Sequence, residues 1–148
     1  MMKNTAYHAG IQYLTYREHS HQELVKKLNN KGYDQQEIKT ALDRLAQSGL
    51  LSNRRFAESY TNNRRRKGYG PQRITLELQD RGIPPEVIAE VLDIADNPWS
   101  NEAFQVWKKR FKGALPKDYK ERAKQMRFLQ YRGFTKEQID AVFSKSTV

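Results

Sequence analysis

The chain has 148 residues, a length typical of one domain, and its 27 lysines and arginines against 17 aspartates and glutamates give a net charge of +10. Hydrophobic residues make up 37% of it, which suits thin helical modules better than one thick core. The absence of cysteine excludes disulfides, thiolate metal sites and cysteine nucleophiles. We expect a soluble cytoplasmic protein whose partners are polyanions: nucleic acid, an acidic protein surface or an anionic membrane surface.

Apolar residues recur at intervals of three and four, a pattern that predicts helices and no strands. The first helix is expected over about Thr5 to Arg17. Capping boxes, Ser20 with Glu23 and Asp34 with Glu37, predict the starts of the second and third helices. The residues predicted to face inward on these three helices are Ala6, Ile11, Leu14, Leu24, Leu28, Ile38, Ala41, Leu42 and Leu45.

The same succession of helices returns twice along the chain. Four of the later helices are predicted to begin at a serine cap or at proline: Ser52, Pro71, Pro84 or Pro85, and Pro98. A further helix is predicted within the stretch from Pro116 to Tyr131, and the last begins at a capping box of Thr135 with Gln138. Their predicted inward residues are Phe56, Ala57, Tyr60, Ile74, Leu78, Val87, Ile88, Val91, Leu92, Phe104, Trp107, Phe111, Met126, Leu129, Ile139, Ala141, Val142 and Phe143.

Three glycines mark an internal repeat. Gly32, Gly82 and Gly133 are 50 and 51 residues apart. A leucine precedes each glycine by four residues and an isoleucine follows it by six, at Leu28, Leu78, Leu129, Ile38, Ile88 and Ile139. The period predicts an all-α fold of three tandem three-helix repeats, residues 1–51, 52–97 and 98–148, in an elongated, curved arrangement. Each repeat is too small to be stable alone, so neighbours must share apolar surface.

Two clusters of cations are candidates for binding a polyanion. The run Arg64-Arg65-Arg66-Lys67 precedes Gly68-Tyr69-Gly70-Pro71. A favourable interaction with the helix dipole explains one or two of these cations but not four. The second cluster flanks Trp107 and Phe111, and its charges either form a solvated face or line a groove. The candidate binding residues are Arg64, Arg65, Arg66, Lys67 and Arg73, with Tyr69 positioning them, and Lys108, Lys109 and Arg110.

Motifs for catalysis and for cofactors are absent from the sequence. His19 and His21 lack a third metal ligand at a suitable spacing, and the glycines around Tyr69 do not have the spacing of a phosphate-binding loop. No apolar run approaches the roughly 20 residues that span a bilayer. We therefore expect a monomeric binding protein that uses no metal or cofactor and is not an enzyme.

The sequence resembles the RecX family over nearly its whole length. The most specific part is Arg66-Lys67-Gly68-Tyr69-Gly70-Pro71-Gln72-Arg73-Ile74, followed by Leu76-Glu77-Leu78 and Arg81-Gly82-Ile83, which is similar to the central signature of that family. Similarity to its other repeats is carried by Tyr13-Leu14, Arg17-Glu18-His19-Ser20, Glu23-Leu24, Lys27-Leu28, Gly49-Leu50-Leu51-Ser52, Arg55-Phe56-Ala57 and Phe128-Leu129-Gln130-Tyr131-Arg132-Gly133-Phe134.

This resemblance implies a partner and an activity. RecX proteins are bacterial regulators that bind the RecA recombinase and its filament on single-stranded DNA. They mainly inhibit filament growth, and with it the ATPase, strand-exchange and co-protease activities of RecA. The resemblance also implies three tandem three-helix repeats and no catalysis.

The charge alone supports a second hypothesis equally well, a protein that binds DNA directly without RecA. A third hypothesis is a helical-repeat adaptor for another protein. The sequence leaves these alternatives open, because net charge does not identify which polyanion is bound.

Overall fold

The structure, a computed structural model, describes residues 5–93 and 98–146. Within these ranges the chain forms nine α-helices and no strand, which confirms the all-α prediction. The predicted end of the second repeat, at residue 97, lies outside the described residues. The helices are α1 (Ala6–Tyr16), α2 (His21–Asn30), α3 (Gln35–Gln47), α4 (Asn53–Arg66), α5 (Pro71–Asp80), α6 (Pro85–Leu92), α7 (Trp99–Phe111), α8 (Tyr119–Arg132) and α9 (Lys136–Ser146).

Two of the three predicted capping boxes are confirmed. The Glu23 amide donates to Ser20 Oγ at 3.0 Å, and the Ser20 amide donates to the Glu23 carboxylate at 3.2 Å. In the same way, the Gln138 amide donates to Thr135 Oγ1 at 3.2 Å, and the Thr135 amide donates to Gln138 Oε1 at 2.9 Å. These reciprocal bonds satisfy amides at the helix start that have no partner within the helix.

The predicted box of Asp34 and Glu37 is only half present. Asp34 accepts a hydrogen bond from the Glu37 amide at 2.9 Å, but the Glu37 carboxylate accepts instead from the Ala6 amide, also at 2.9 Å. Ala6 is the first residue of α1, where the amide has no partner within its own helix. Glu37 therefore ties α3 to the start of α1 instead of closing its own cap.

The packing divides into two compact units. Unit 1 comprises Met1–Tyr60 and Leu78–Val91, and unit 2 comprises Thr61–Glu77 and Leu92–Val148. Helices α4, α5 and α6 contribute residues to both units.

The core of unit 1 lies between α1, α2 and α3. On α1, the buried residues differ from those predicted. Ile11 and Leu14 are only half-buried, whereas Ala9 and Gly10 are buried. A Cβ atom on Gly10 would lie 2.7 Å from Leu45 Cδ1, so α1 presents its smallest residues to α3. The close approach of these helices moves the larger side chains of α1 to the flank.

The core of unit 2 contains a buried glutamine where the sequence predicted a methionine. Gln125 is 1% exposed, whereas Met126 is half-buried. The Gln125 amide accepts from Trp107 Nε1 at 2.7 Å and donates to the Ala114 carbonyl at 3.0 Å. The buried indole N–H of Trp107 requires an acceptor, which explains why α8 turns its glutamine inward.

The start of α5 is bonded directly to the end of α8 within unit 2. The Gly70 amide donates to the Arg132 carbonyl at 2.7 Å, and the Gln72 amide donates to the Gly133 carbonyl at 2.9 Å. We call these two bonds the α5–α8 junction. A Cβ atom on Gly70 would lie 2.5 Å from the Gly133 carbonyl carbon, so the two backbones meet in a space that only glycine fits.

A related contact occurs in unit 1, one repeat earlier. Gln22 lies 50 residues before Gln72, and its side-chain amide donates to the Asp80 carbonyl at the end of α5 at 2.8 Å. Gly82, which lies 51 residues before Gly133, packs against the side chain of Gln22. The repeating glycine thus marks the place where one repeat meets the preceding one.

The surroundings of His19 predict that the stability of unit 1 depends on pH. Its ring is 1% exposed, with Nδ1 3.0 Å from the Arg17 carbonyl and Nε2 2.8 Å from Lys27 Nζ. The lysine donates, so Nε2 must be an unprotonated acceptor. Burial lowers the pKa of His19 below its ordinary value, and the charges of Arg17 and Lys27 lower it further, against the opposing hydrogen bond to the Arg17 carbonyl.

We expect the free energy of unfolding to fall as the pH drops below about 6.5, because the unfolded chain binds a proton that the folded ring excludes. His19→Asn, which keeps a donor for the Arg17 carbonyl, should reduce the slope by up to about 1.4 kcal/mol per pH unit. Urea unfolding at a series of pH values measures this. The remaining slope would include His21, whose pKa burial also lowers. An identical slope in the variant would contradict the assignment.

The α5–α8 junction predicts that adding one methyl group at Gly70 lowers the stability of the fold by an unusually large amount. Gly70→Ala should lower the free energy of unfolding by about 2 kcal/mol, because the clashing atoms belong to backbone that cannot rotate away. Gly32→Ala is the control, since Gly32 has a positive φ of 94° but open space around it. It should cost about 1 kcal/mol from backbone conformation alone. Equal costs in chemical unfolding would show that the close approach is unimportant.

Candidate polyanion-binding site

The candidate site begins where α4 ends. The Gly68 amide donates to the Arg65 carbonyl at 2.9 Å, and the Tyr69 amide donates to the Arg64 carbonyl at 3.1 Å. Gly68 has a φ of 88°, the left-handed conformation that terminates many helices. This turn directs the chain back, so that the Tyr69 ring lies beside the last turn of α4.

Two of the four consecutive cations are engaged in ion pairs within unit 2. Arg64 forms a bidentate pair with Glu77, with both N–O distances at 2.9 Å. Arg65 forms a second bidentate pair with Glu102, and its guanidinium carbon lies 4.2 Å from the Trp99 ring centroid. The arginine side chains are only 18% and 20% exposed. Their geometry suits anchoring α4 to α5 and to α7.

Arg66 and Lys67 are placed differently. Both are exposed, and within the described ranges neither forms an ion pair with a carboxylate. The four cations therefore divide into an engaged pair and a pair available to a ligand. This division follows from helix geometry, since consecutive side chains point about 100° apart.

Tyr69 lies among three guanidinium groups. The guanidinium carbons of Arg64, Arg73 and Arg132 are 3.9, 4.5 and 5.0 Å from its ring centroid. Arg73 also bonds to Glu77 and to the Tyr131 carbonyl, both at 3.3 Å. Burial lowers the pKa of Arg73, but interactions with Tyr131, Glu77 and Tyr69 together outweigh it and raise the pKa above its ordinary value. The group is therefore a permanent cation.

The second cluster of cations lies on α7. Lys108, Lys109 and Arg110 are exposed, whereas the neighbouring Trp107 is 2% exposed. The guanidinium carbon of Arg110 lies 5.5 Å from the Phe128 ring centroid. Trp107 is thus a core residue, whereas the three cations lie at the surface.

A cleft of about 480 Å³ in unit 2 brings parts of both clusters together. We call it the cationic cleft. The candidate residues that line it are Arg65, Arg66, Lys67, Lys109 and Arg110. Arg64, Tyr69 and Arg73 form the neighbouring cluster, and Lys108 is exposed outside the lining. The other lining residues are Gly68, Glu102, Gln105, Val106, Phe128 and Arg132.

Arg132 connects the cleft to the Tyr69 cluster but was not among the candidates. Its Nη1 donates to the Lys67 carbonyl at 2.9 Å, and its guanidinium carbon is 5.1 Å from the Phe128 centroid. A sequence signal existed, because a basic residue precedes the repeating glycine at Lys31, Arg81 and Arg132. Arg81 makes a related contact in unit 1, 4.6 Å from the Tyr60 centroid.

Two other kinds of site are absent from residues 5–93 and 98–146. No group of three or more His, Asp or Glu side chains there is arranged to hold a metal ion. No helix there is both long enough and apolar enough to cross a bilayer.

Comparison with known proteins identifies a family for each part of the fold. Models described as the first, second and third three-helix domains of RecX match residues 6–45, 52–92 and 101–143. The crystal structure of RecX from Lactobacillus salivarius superposes with a TM-score of 0.82 at 22% identity, covering 96% of this chain and 94% of that one. A second crystal structure, of regulatory protein RecX, gives 0.81 at 21% identity, covering 94% and 71%.

Sequence relatives extend the same similarity. Regulatory protein RecX of Pseudomonas tolaasii is 45% identical over 135 residues, which cover 91% of this chain and 87% of the relative. Regulatory protein RecX of Pseudomonas fluorescens strain SBW25 has the same identity and coverage. The predicted three three-helix units are confirmed by these matches, and the chain belongs to the RecX family.

Proposed function

We propose that this chain is a cytoplasmic, non-catalytic regulator that binds RecA and its filament on single-stranded DNA. It mainly inhibits filament growth, and with it ATP hydrolysis, strand exchange and co-protease activity. The observation that carries the proposal is the match to all three RecX domains, at 45% identity to relatives named regulatory proteins. The exposed cations of unit 2 add a surface suited to a polyanionic assembly.

Inhibition requires no chemistry from the chain. A protein that binds several filament subunits and blocks addition of the next one shifts growth towards net loss by mass action. Loss of the filament then lowers ATP hydrolysis, because filament assembly activates the ATPase. A monomer without metal or cofactor is sufficient for this activity.

We propose separate roles for the cations. Arg66, Lys67, Lys109 and Arg110 are exposed and are the side chains we propose to meet the filament. Of the other candidates, Lys108 is exposed and Arg73 is half-buried. Arg64 and Arg65 are proposed to hold that surface in place through Glu77 and Glu102.

Direct DNA binding without RecA is the second candidate, favoured by the same exposed cations. Its affinity would fall with salt by about 0.7–0.9 log units per log unit of salt for each phosphate neutralised. Tight filament binding combined with weak binding to bare DNA would exclude it as the main function.

We expect the chain to lower RecA ATP hydrolysis on single-stranded DNA at substoichiometric ratios. Arg66→Glu with Lys67→Glu should weaken this inhibition about tenfold or more, because reversal replaces two attractions with repulsions. A coupled assay of ATP hydrolysis at several concentrations of the chain measures the shift.

The matched control is Lys26→Glu with Lys39→Glu, which makes the same change in net charge at exposed positions of unit 1. Its inhibition should stay close to that of the unmodified chain. Equal weakening by both pairs would point to diffuse electrostatics, and absence of inhibition by the unmodified chain at equimolar RecA would refute the proposed function.

A further inference from the structure

A separate row of cations lies on α8, on the surface of unit 2. Lys120, Lys124, Arg127 and Tyr131 follow one another at intervals of four, three and four residues, and all four are exposed. This spacing places them along one face of the helix. We call these four residues the α8 stripe. None of them lines the cationic cleft.

Carboxylates do not neutralise the α8 stripe within the part of the chain that the structure describes. Lys120, Lys124 and Arg127 form no ion pair there. Glu121 is the one acidic residue of α8, and it is half-buried, with its carboxylate accepting from the Gln125 side chain at 3.4 Å. The stripe therefore attracts a ligand of opposite charge.

The α8 stripe weakens the helix that carries it. Like charges three or four residues apart repel one another, and Lys124 has such a neighbour on each side, at Lys120 and Arg127. Lys120 also lies in the first turn, where the positive end of the helix dipole disfavours a cation. The stability of the fold therefore does not account for the stripe.

The packing of the repeats does not account for the α8 stripe either. Leu76 on α5 lies 51 residues before Arg127, and Glu23 on α2 lies 101 residues before Lys124, so the equivalent positions tolerate apolar and acidic residues. Helix α8 has 14 residues, whereas α2 and α5 have 10 each, and Lys120 lies in the added first residues of α8. The row of cations is thus particular to the third repeat.

The geometry of the α8 stripe narrows the choice of partner. At a rise of 1.5 Å per residue, the stripe extends for about 16 Å along α8. Intervals that alternate between four and three residues match those along one face of a second helix packed at a small crossing angle. An extended peptide or a nucleic-acid strand repeats at one constant interval, so its charges lose register along the stripe.

Tyr131 gives one end of the stripe a different character. Its side chain is 74% exposed, and the guanidinium carbon of Arg73 lies 5.1 Å from its ring centroid. Tyrosine and arginine are the residue types that most often anchor protein interfaces. The stripe therefore combines a row of charges with an aromatic contact at its end.

We propose that the α8 stripe docks an acidic helical segment of a partner protein, in which carboxylates recur at intervals of four and three residues. The two helices lie side by side, with one carboxylate opposite each cation, and Arg127 holds its carboxylate with two hydrogen bonds. Tyr131 packs against an apolar residue at the end of the segment. This inference goes beyond the proposed function, because it assigns a partner to a face that the proposed function does not use.

Titration of the purified full chain with two labelled synthetic peptides tests the pattern. Both are alanine-rich helices of about 20 residues with the same composition. The aligned peptide carries its glutamates at the intervals of the stripe, and the dispersed peptide carries them on all sides of the helix. The aligned peptide should bind about fivefold or more tightly at about 0.15 M salt, because only it places several carboxylates over the stripe at once. Fluorescence anisotropy measures both affinities.

The stripe variant is Lys124→Gln with Arg127→Gln, which should weaken binding of the aligned peptide about fivefold or more through the loss of two ion pairs. The matched control is Lys26→Gln with Lys39→Gln at exposed positions of unit 1, and it should change this affinity less than twofold. The stripe variant should unfold at no lower urea concentration than the unmodified chain, because it removes charges that repel one another.

Several results would overturn the inference. Undetectable binding of the aligned peptide would refute the docking site. Equal binding of the two peptides, or equal weakening by the stripe variant and the control, would indicate diffuse charge. A lower urea midpoint for the stripe variant would show that the cations stabilise the fold.

Two further measurements exclude other occupants of the α8 stripe. Binding of a labelled oligothymidylate that the stripe variant weakens as much as it weakens the aligned peptide would assign the stripe to nucleic acid. Self-association in sedimentation velocity that the stripe variant abolishes would assign it to a second copy of the chain. No RecA is present in these experiments, so their failure and the failure of the proposed function are distinguishable.

Discussion

The surface of unit 2 depends on the α5–α8 junction. Amides at the start of α5 and carbonyls at the end of α8 have no partners within their own helices, and the junction pairs them with each other. The positive end of one helix dipole also meets the negative end of another. Because Gly70 and Gly133 allow the backbones to touch, Arg73 and Arg132 are both held beside the Tyr69 ring. The segment of the sequence with the most specific resemblance thus forms the α5–α8 junction and also positions the arginines around Tyr69.

Ion pairs keep this strongly basic surface ordered. Arg64 and Arg73 share Glu77, and Arg65 is paired with Glu102, so close positive groups are separated by carboxylates. Partly buried bidentate pairs of this kind have well-defined geometry, unlike exposed ion pairs on a surface. The cations without such partners then point outward from a rigid base. We propose that the exposed cations bind the partner and that the engaged cations hold the surface in position.

Features encoded by neighbouring residues could be predicted from the sequence. Helix periodicity and the capping boxes at Ser20 and Thr135 depend on residues a few positions apart, and the repeating glycine is visible in the sequence from its regular spacing of 50 and 51 residues. Glu37 was misassigned because its partner, the Ala6 amide, lies 31 residues away. Met126 was predicted inward because its apolar side chain fits a core, whereas the indole N–H of Trp107 selects Gln125.

The candidate site was predictable as a region but not in its division of roles. A run of four cations has no internal pattern that separates engaged side chains from exposed ones. The separation depends on Glu77 and Glu102, which lie 13 and 37 residues from their arginines. The cleft itself depends on Phe128 and Arg132 from α8, which tertiary packing brings beside α4 and α7. Spacing in the sequence carries no information about such contacts.

Amide hydrogen exchange at Gly70 and Gln72 tests the central claim most directly. Amides in the first turn of a helix normally exchange quickly, because they have no partner within the helix. The α5–α8 junction predicts slow exchange at both amides, comparable with Ile74 inside α5, whose amide donates to the Gly70 carbonyl at 3.1 Å. Fast exchange at Gly70 and Gln72 beside a protected Ile74 would contradict the account.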